Sequence, residues 1–163
     1  SRLWGLIEAT PNLIWMLLTK RPENVGRMVP WGGNWPANVW LGTSIEDQEN
    51  ADKRIPELLR WPARVRFVSA EPLLGPIDLG LDGIAPRTTR EPSQRVGDMI
   101  DWMIIGGESG KDHRPMELAW VEGIVRQCRT AGVPVFVKQD SAMRPGMRGR
   151  IPDELWIQEM PED

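Results

Sequence analysis

Five short apolar runs, each followed at once by a polar or charged cluster, constrain the fold of this chain more than any other feature. The runs are Leu13 to Leu18, Val39 to Leu41, Val65 to Val68, Trp102 to Ile105 and Val133 to Val137. Most are continuous rather than alternating, which is how a parallel strand covered on both faces reads. Arg66 interrupts the third run and marks an expected wetter position. Amphipathic stretches fall between the runs. Glu23 to Met28 is short, Asp47 to Leu59 carries Ala51, Ile55, Leu58 and Leu59 at helical spacing, and Met116 to Thr130 stops at Gly132. Strands alternating with helices imply βαβ units. The expected fold is therefore α/β, a partial (β/α) barrel of about five parallel strands with flanking helices.

The 163 residues suit a single domain spanning 1–163. Residues 80–98 hold two prolines, three arginines and two threonines and read as a polar loop insertion. Leu155-Trp156-Ile157 reads as a short closing strand. Nine Trp with two Phe and no Tyr point to large core or interface anchors. Their scatter through the chain argues against a stacking platform for nucleic-acid bases. No run reaches the roughly 20 apolar residues of a membrane helix. The N-terminus lacks the layout of a signal peptide. The formal net charge of −3 gives no support to non-specific nucleic-acid coating, which needs a basic surface. A lone cysteine, Cys128, forms no internal disulfide and reads as a core residue of a cytoplasmic protein.

Chemistry concentrates where the runs end. The first closes on Lys20 and Arg21, the second on Ser44 and Glu46, the third on Glu71, the fourth on Glu108 and Ser109, the fifth on Lys138 and Gln139. In parallel α/β folds such ends share one face, and ligands bind there. Lys20, Arg21 and Lys138 can hold a phosphate or carboxylate. Glu46, Glu71 and Glu108 can accept from hydroxyls or amines, or move protons. His113, the sole histidine, and Arg114 follow on the fourth loop, and Gly106-Gly107 allows close backbone approach. We assign Glu71, Glu108 and Lys138 as candidate catalytic groups. Lys20, Arg21, Ser44, Glu46, Ser109, His113, Arg114 and Gln139 are the candidate ligand-binding groups. No metal site is expected: one Cys and one His cannot build a structural zinc site. No phosphate loop, dinucleotide fingerprint or nucleophile elbow occurs.

The phrases LLTKRPENV, NVWLGTSIEDQENADKRIPELL, ARVRFVSAEPLLGPIDL, IDWMIIGGESGKDHRPMELAWV, VPVFVKQ and IPDELWIQEMP occur in order along nearly the whole chain. In these the sequence resembles the phage and prophage family labelled Gp thirty-seven / Gp sixty-eight, a radical-SAM-like family of unknown function. The resemblance implies a (β/α) barrel whose N-terminal cysteine motif holds a [4Fe–4S] cluster and works with S-adenosylmethionine. It also implies motif roles for Lys20, Arg21, Ser44, Glu46, Glu71, Glu108, Ser109, Lys138 and Gln139. The chain departs from the pattern in lacking the cysteine motif. The expectation is a C-terminal portion with no cofactor of its own, inactive unless joined to a cluster-bearing half. It would bind a nucleoside-type or anionic small molecule in the cytoplasm of an infected or lysogenic bacterial host. Two other readings stand beside it. One is a non-enzymatic phage accessory module that binds a host or phage protein, or a second copy, through an open sheet edge. The other is a hydrolase using Glu46, Glu71 and Glu108 with a divalent metal.

Overall fold

A computed structural model describes residues 2–81 and 100–161. The expected loop insertion at 80–98 lies, beyond Leu81, outside the described residues. Five strands form one all-parallel sheet: β1 (Trp15–Thr19), β2 (Val39–Ile45), β3 (Arg66–Ala70), β4 (Trp102–Gly106) and β5 (Val135–Gln139), in the spatial order β1-β2-β3-β4-β5. Strand order equals chain order. This is the winding of part of a (β/α) barrel, and it differs from a doubly wound sheet, where the order reverses at a switch point. Among the described residues the sheet is open. The helices are α1 (Arg2–Ala9), α2 (Val25–Met28), α3 (Gln48–Leu59) and α4 (Leu118–Ala131).

Local chemistry explains the boundaries. The Asp47 carboxylate accepts from the Asn50 backbone N–H and caps α3, satisfying a donor the first turn leaves open. Gly132, at φ 69°, ends α4 in the left-handed conformation that a side chain resists. The sequence misses α1, whose apolar spacing is blurred by Gly5 and by too few turns to establish a period. The Leu155 region differs from expectation. A 3₁₀ turn occupies Asp153–Leu155, and pairing with β5 begins later: Val137 N–H donates to the Ile157 carbonyl at 2.7 Å, and Phe136 bridges Gln158 antiparallel. This segment covers the outer edge of β5. The wetter position expected at Arg66 is corrected. Arg66 is buried against buried Asp101 at 3.3 Å, and its own backbone N–H donates to the same carboxylate oxygen at 2.8 Å.

Two apolar clusters divide the sheet. Leu41, Ile45, Val68, Ala70, Met103, Ile105, Val135 and Val137 point to one face. There they pack with Ala51 and Leu58 of α3 and with Val121, Ile124, Val125 and Cys128 of α4. The alternate positions Trp40, Phe67, Trp102, Ile104 and Phe136 point to the other face, joined by Val65, as the period of two requires. Their rings meet edge to face: Trp40 and Trp102 lie 6.2 Å apart, and Trp102 and Phe136 lie 6.0 Å apart. A separate run of rings, Trp4, Trp31, Trp35 and Trp61, ties α1 to the end of α3.

Gly42 makes the ring cluster possible. A Cβ built there would sit 2.3 Å from the Phe67 ring, so Phe67 lies flat over the glycine beside it in register. We predict that Gly42→Ala lowers stability by about 1–3 kcal/mol through overpacking. Gly33→Ala, which meets nothing within 4 Å, should be near neutral. Chemical denaturation of the two variants checks the contrast.

Candidate functional site

The second face of the sheet is built large below and small above. Toward the amino ends of the strands lie Trp40, Phe67 and Trp102, each at most 5% exposed. One layer toward the carboxyl ends, Ser44 pairs in register with Ser69, and Ser69 with Ile104. Beyond that come Glu46, Glu71, Gly106 and Lys138. Indole and phenyl rings plug one end, while two serines and a glycine leave room above them. The result is a cleft of about 330 Å³ lined by Met16, Leu18, Phe67, Ser69, Glu71, Trp102, Ile104, Phe136 and Lys138. Its volume lies at the low end of the small-molecule range of roughly 300–1,000 Å³.

The charged groups sit at the cleft mouth and along the same sheet edge, in three sets. Lys138 Nζ donates to both oxygens of Glu71, at 2.8 and 3.1 Å. Lys20 pairs with Glu46, whose other oxygen receives Arg54 Nη1 at 2.9 Å. Arg54 also donates to the Ser44 carbonyl at 2.7 Å, which fixes the carboxylate against β2. Arg114 grips Glu108 with two side-chain bonds of 2.8 and 2.7 Å, and its backbone N–H adds a third at 2.8 Å. These bonds hold the Glu108 carboxyl down at about 2, the Arg114 side chain contributing most and its backbone N–H next. The reciprocal bond raises Arg114, and Glu46 adds to that rise, so the second and third sets share one electrostatic neighbourhood.

The remaining expected residues are placed as follows. His113 Nδ1 lies 2.7 Å from the Gly110 carbonyl, within its own loop. Ser109 bridges Ala142 through the backbone. Gln139 is buried, donates to the Gly107 carbonyl at 2.7 Å and accepts from Gly146 N–H at 2.8 Å, so both ends of its amide hold backbone. Ser44 is buried, and Arg21 is exposed beside Lys20. The close approach expected at Gly107 is to the protein itself: a Cβ there would stand 2.2 Å from Ser141 N. Of the three candidate catalytic groups, Glu71 and Lys138 line the cleft and Glu108 does not.

Three features escaped the sequence reading. One is Arg54, one turn and more along α3. Another is the partner of Asp140, which reads in sequence only as a polar strand end and is buried and clasped by Arg150 at 2.8 and 2.9 Å. Burial would raise the Asp140 carboxyl, but the Arg150 bonds and the Ser141 and Arg150 backbone N–H groups outweigh it, and the net shift is down. The third is the apolar lining itself. Its signal was present as residues two apart on the runs, Met16 and Leu18, Phe67 and Ser69, Trp102 and Ile104, Phe136 and Lys138.

No group of three or more His, Cys, Asp and Glu side chains able to hold a metal ion occurs among the described residues. Glu46, Glu71 and Glu108 are each paired with a cation instead. Cys128 is fully buried in α4, and burial pushes its thiol up to about 12. A single inward-facing thiol that resists ionisation does not fit an iron–sulfur cluster, which takes three or four thiolates. No helix among the described residues is long and apolar enough to cross a membrane.

Fold and site together define an α/β protein with a parallel sheet wound in chain order, helices on one face and a polar-mouthed cleft on the other. The family profile described as "Protein of unknown function (DUF5131)" matches residues 1–161, and the chain belongs to that family. No curated protein matches the chain, and no solved structure does.

The Glu108–Arg114 clasp gives a pH prediction. The folded carboxyl lies below its ordinary value of 4.5. Its contribution is therefore complete above that value and is lost as pH falls toward about 2. Side-chain carboxyl NMR should show Glu108 titrating near 2 in the wild type and higher in Arg114→Ala, short of 4.5 because the backbone N–H of residue 114 still donates to it.

Proposed function

We propose that this chain is the C-terminal half of a phage-encoded radical-SAM-like (β/α)-barrel protein. It binds a nucleoside-type or anionic small ligand at the carboxyl edge of its sheet. The observation that carries the reading is the cleft beneath the Glu71–Lys138 pair, with an apolar floor and both charge signs at its mouth. Pockets of this kind, mostly apolar with a few convergent polar groups, are where small molecules are held. The strand order equals that of a barrel segment. Among the described residues β1 has a neighbour on one side only, whereas the outer edge of β5 is covered by residues 157–159. These features support a half that is completed by further strands.

In the family that the sequence resembles, the cluster supplies the electron for radical chemistry. The one cysteine of this chain does not fit that role, and the cluster belongs to the other half. The work left to this chain is binding and orientation. Glu71 and Lys138 offer an acceptor and a donor side by side, able to take a hydroxyl or amine and an anionic group respectively. Arg54 and Lys20 hold Glu46 from two sides, and the Arg114 clasp fixes the β4 loop beside them.

A thermal-shift titration with adenosine and with S-adenosylmethionine tests the reading. Ligand at about 100 times its Kd should stabilise the wild type by about 2.7 kcal/mol. Glu71→Ala combined with Lys138→Met should remove the shift. No shift in the wild type, or an equal shift in the variant, rejects this site.

The second reading, a non-enzymatic module that binds a host or phage protein, is favoured by one observation. Leu13, Ile14, Met16 and Leu18 are 57, 48, 44 and 52% exposed on and beside β1. A contiguous apolar edge of this kind is a protein-binding surface or an aggregation hazard. Under this reading Met16→Lys with Leu18→Lys should abolish self-association seen by light scattering while leaving the circular dichroism of the fold unchanged.

A further inference from the structure

The front of the sheet carries columns of side chains two residues apart: Phe67, Ser69 and Glu71, then Trp102, Ile104 and Gly106, then Phe136 and Lys138. Gly106 leaves the middle column without a side chain at the mouth. A Cβ there would stand 3.1 Å from Glu71 Cδ and 3.2 Å from its Cγ. The Glu71 side chain therefore lies across β4 and meets Lys138 of β5 at 2.8 Å. The pair bridges the mouth over the column that holds Ile104, and both members stay open to solvent, Lys138 at 47% and Glu71 at 22%.

Among the described residues these two are the charged members of the lining, and apolar side chains with Ser69 make up the rest. Elsewhere on the edge both signs are interleaved and separately engaged. Glu46 has Lys20 and Arg54, Glu108 has Arg114, Asp140 has Arg150, and Asp47 caps α3, while Asp112 is exposed on the β4 loop. Selection at the cleft thus falls to the Glu71–Lys138 pair. A ligand with one charge would satisfy one member and set a like charge against the other. An uncharged ligand would leave the pair closed on itself. A ligand with both charges, as close together as those of the pair, sets each against its opposite, so that the four alternate. An ammonium and a carboxylate on one carbon have this spacing. The apolar floor asks that the rest of the molecule be apolar, and a volume of about 330 Å³, at the low end for small-molecule sites, asks that it be compact.

We propose that the cleft takes a free α-amino acid with an apolar side chain of about the size of leucine, its carboxylate on Lys138, its ammonium on Glu71 and its side chain between Leu18, Ile104 and Phe136. The proposal rests on the reading above that a small ligand occupies this cleft, and it names the class that the mouth selects.

Titration of the chain with L-leucine, followed by amide NMR, tests it against four relatives. Isocaproate lacks the ammonium, isoamylamine lacks the carboxylate, ε-aminocaproate is an isomer with its charges far apart, and glycine lacks the side chain. Leucine should bind at least about tenfold tighter than each, the worth of one hydrogen bond to a charged group. Glu71→Gln should weaken leucine and tighten isocaproate, because no carboxylate then opposes the anion on Lys138. Lys138→Met should weaken leucine and tighten isoamylamine for the converse reason. A gain in binding cannot come from a variant that has failed to fold. Leucine binding no tighter than isocaproate or isoamylamine overturns the inference, and so does the absence of either gain. If leucine fails while adenosine binds, the inference falls and the small-ligand reading stands. If neither binds, both fall.

Discussion

The parallel register of five strands is the constraint on which the rest depends. Each strand runs the same way, so each carboxyl end arrives at one edge; Lys20, Glu46, Glu71 and Glu108 follow their strands there within two residues, and Lys138 is the next-to-last residue of β5. Parallel pairing also demands a crossover between neighbours. The crossovers place α3 and α4 on one face and, among the described residues, leave the other to side chains. A sheet wound in this manner has a helix-covered back and a front that depends on how its own side chains are graded in size.

That grading decides where space exists. Trp40, Phe67 and Trp102 fill the front at the amino ends, and Gly42 yields the volume into which the Phe67 ring falls. Ser44 and Ser69 share the next layer toward the mouth, and Gly106 lies one layer beyond them. Interiors tolerate few voids larger than a water molecule, so the plug packs tightly and the remaining volume collects at the polar end. The cleft and the charged edge coincide for this geometric reason.

The charged residues divide by what their partners are. Glu108, Gln139, Asp140 and Arg150 are engaged with loop backbone or with one another, and they hold the β4 and β5 loops together. The backbone bridge between Ser109 and Ala142 and the tight contact of Gly107 with Ser141 serve the same joint. Among the described residues Glu71 and Lys138 pair only with each other, and they stay partly exposed over the cleft. Rigid loops beneath a loosely held pair are what a binding mouth requires, because the pair can exchange its mutual contact for contacts with a ligand while its support stays fixed.

The sequence by itself determined the α/β class, five strands, helices α3 and α4 with their boundaries near Asp47 and Gly132, and the carboxyl-edge placement of the charges. These follow from local periodicity, capping chemistry and the single direction of parallel strands, all of which are written in neighbouring residues. Only the tertiary structure decided which charges face a cavity. Glu71 and Glu108 look alike in sequence, each one or two residues past a strand. Yet one meets Lys138 from 67 positions away and the other is clasped by Arg114 from six. The burial of Arg66 on Asp101, the return of residues 157–159 along β5 and the aromatic plug over Gly42 were equally hidden. They join residues far apart in the chain, and pairings of that kind are set by register and packing volume, which no local pattern encodes.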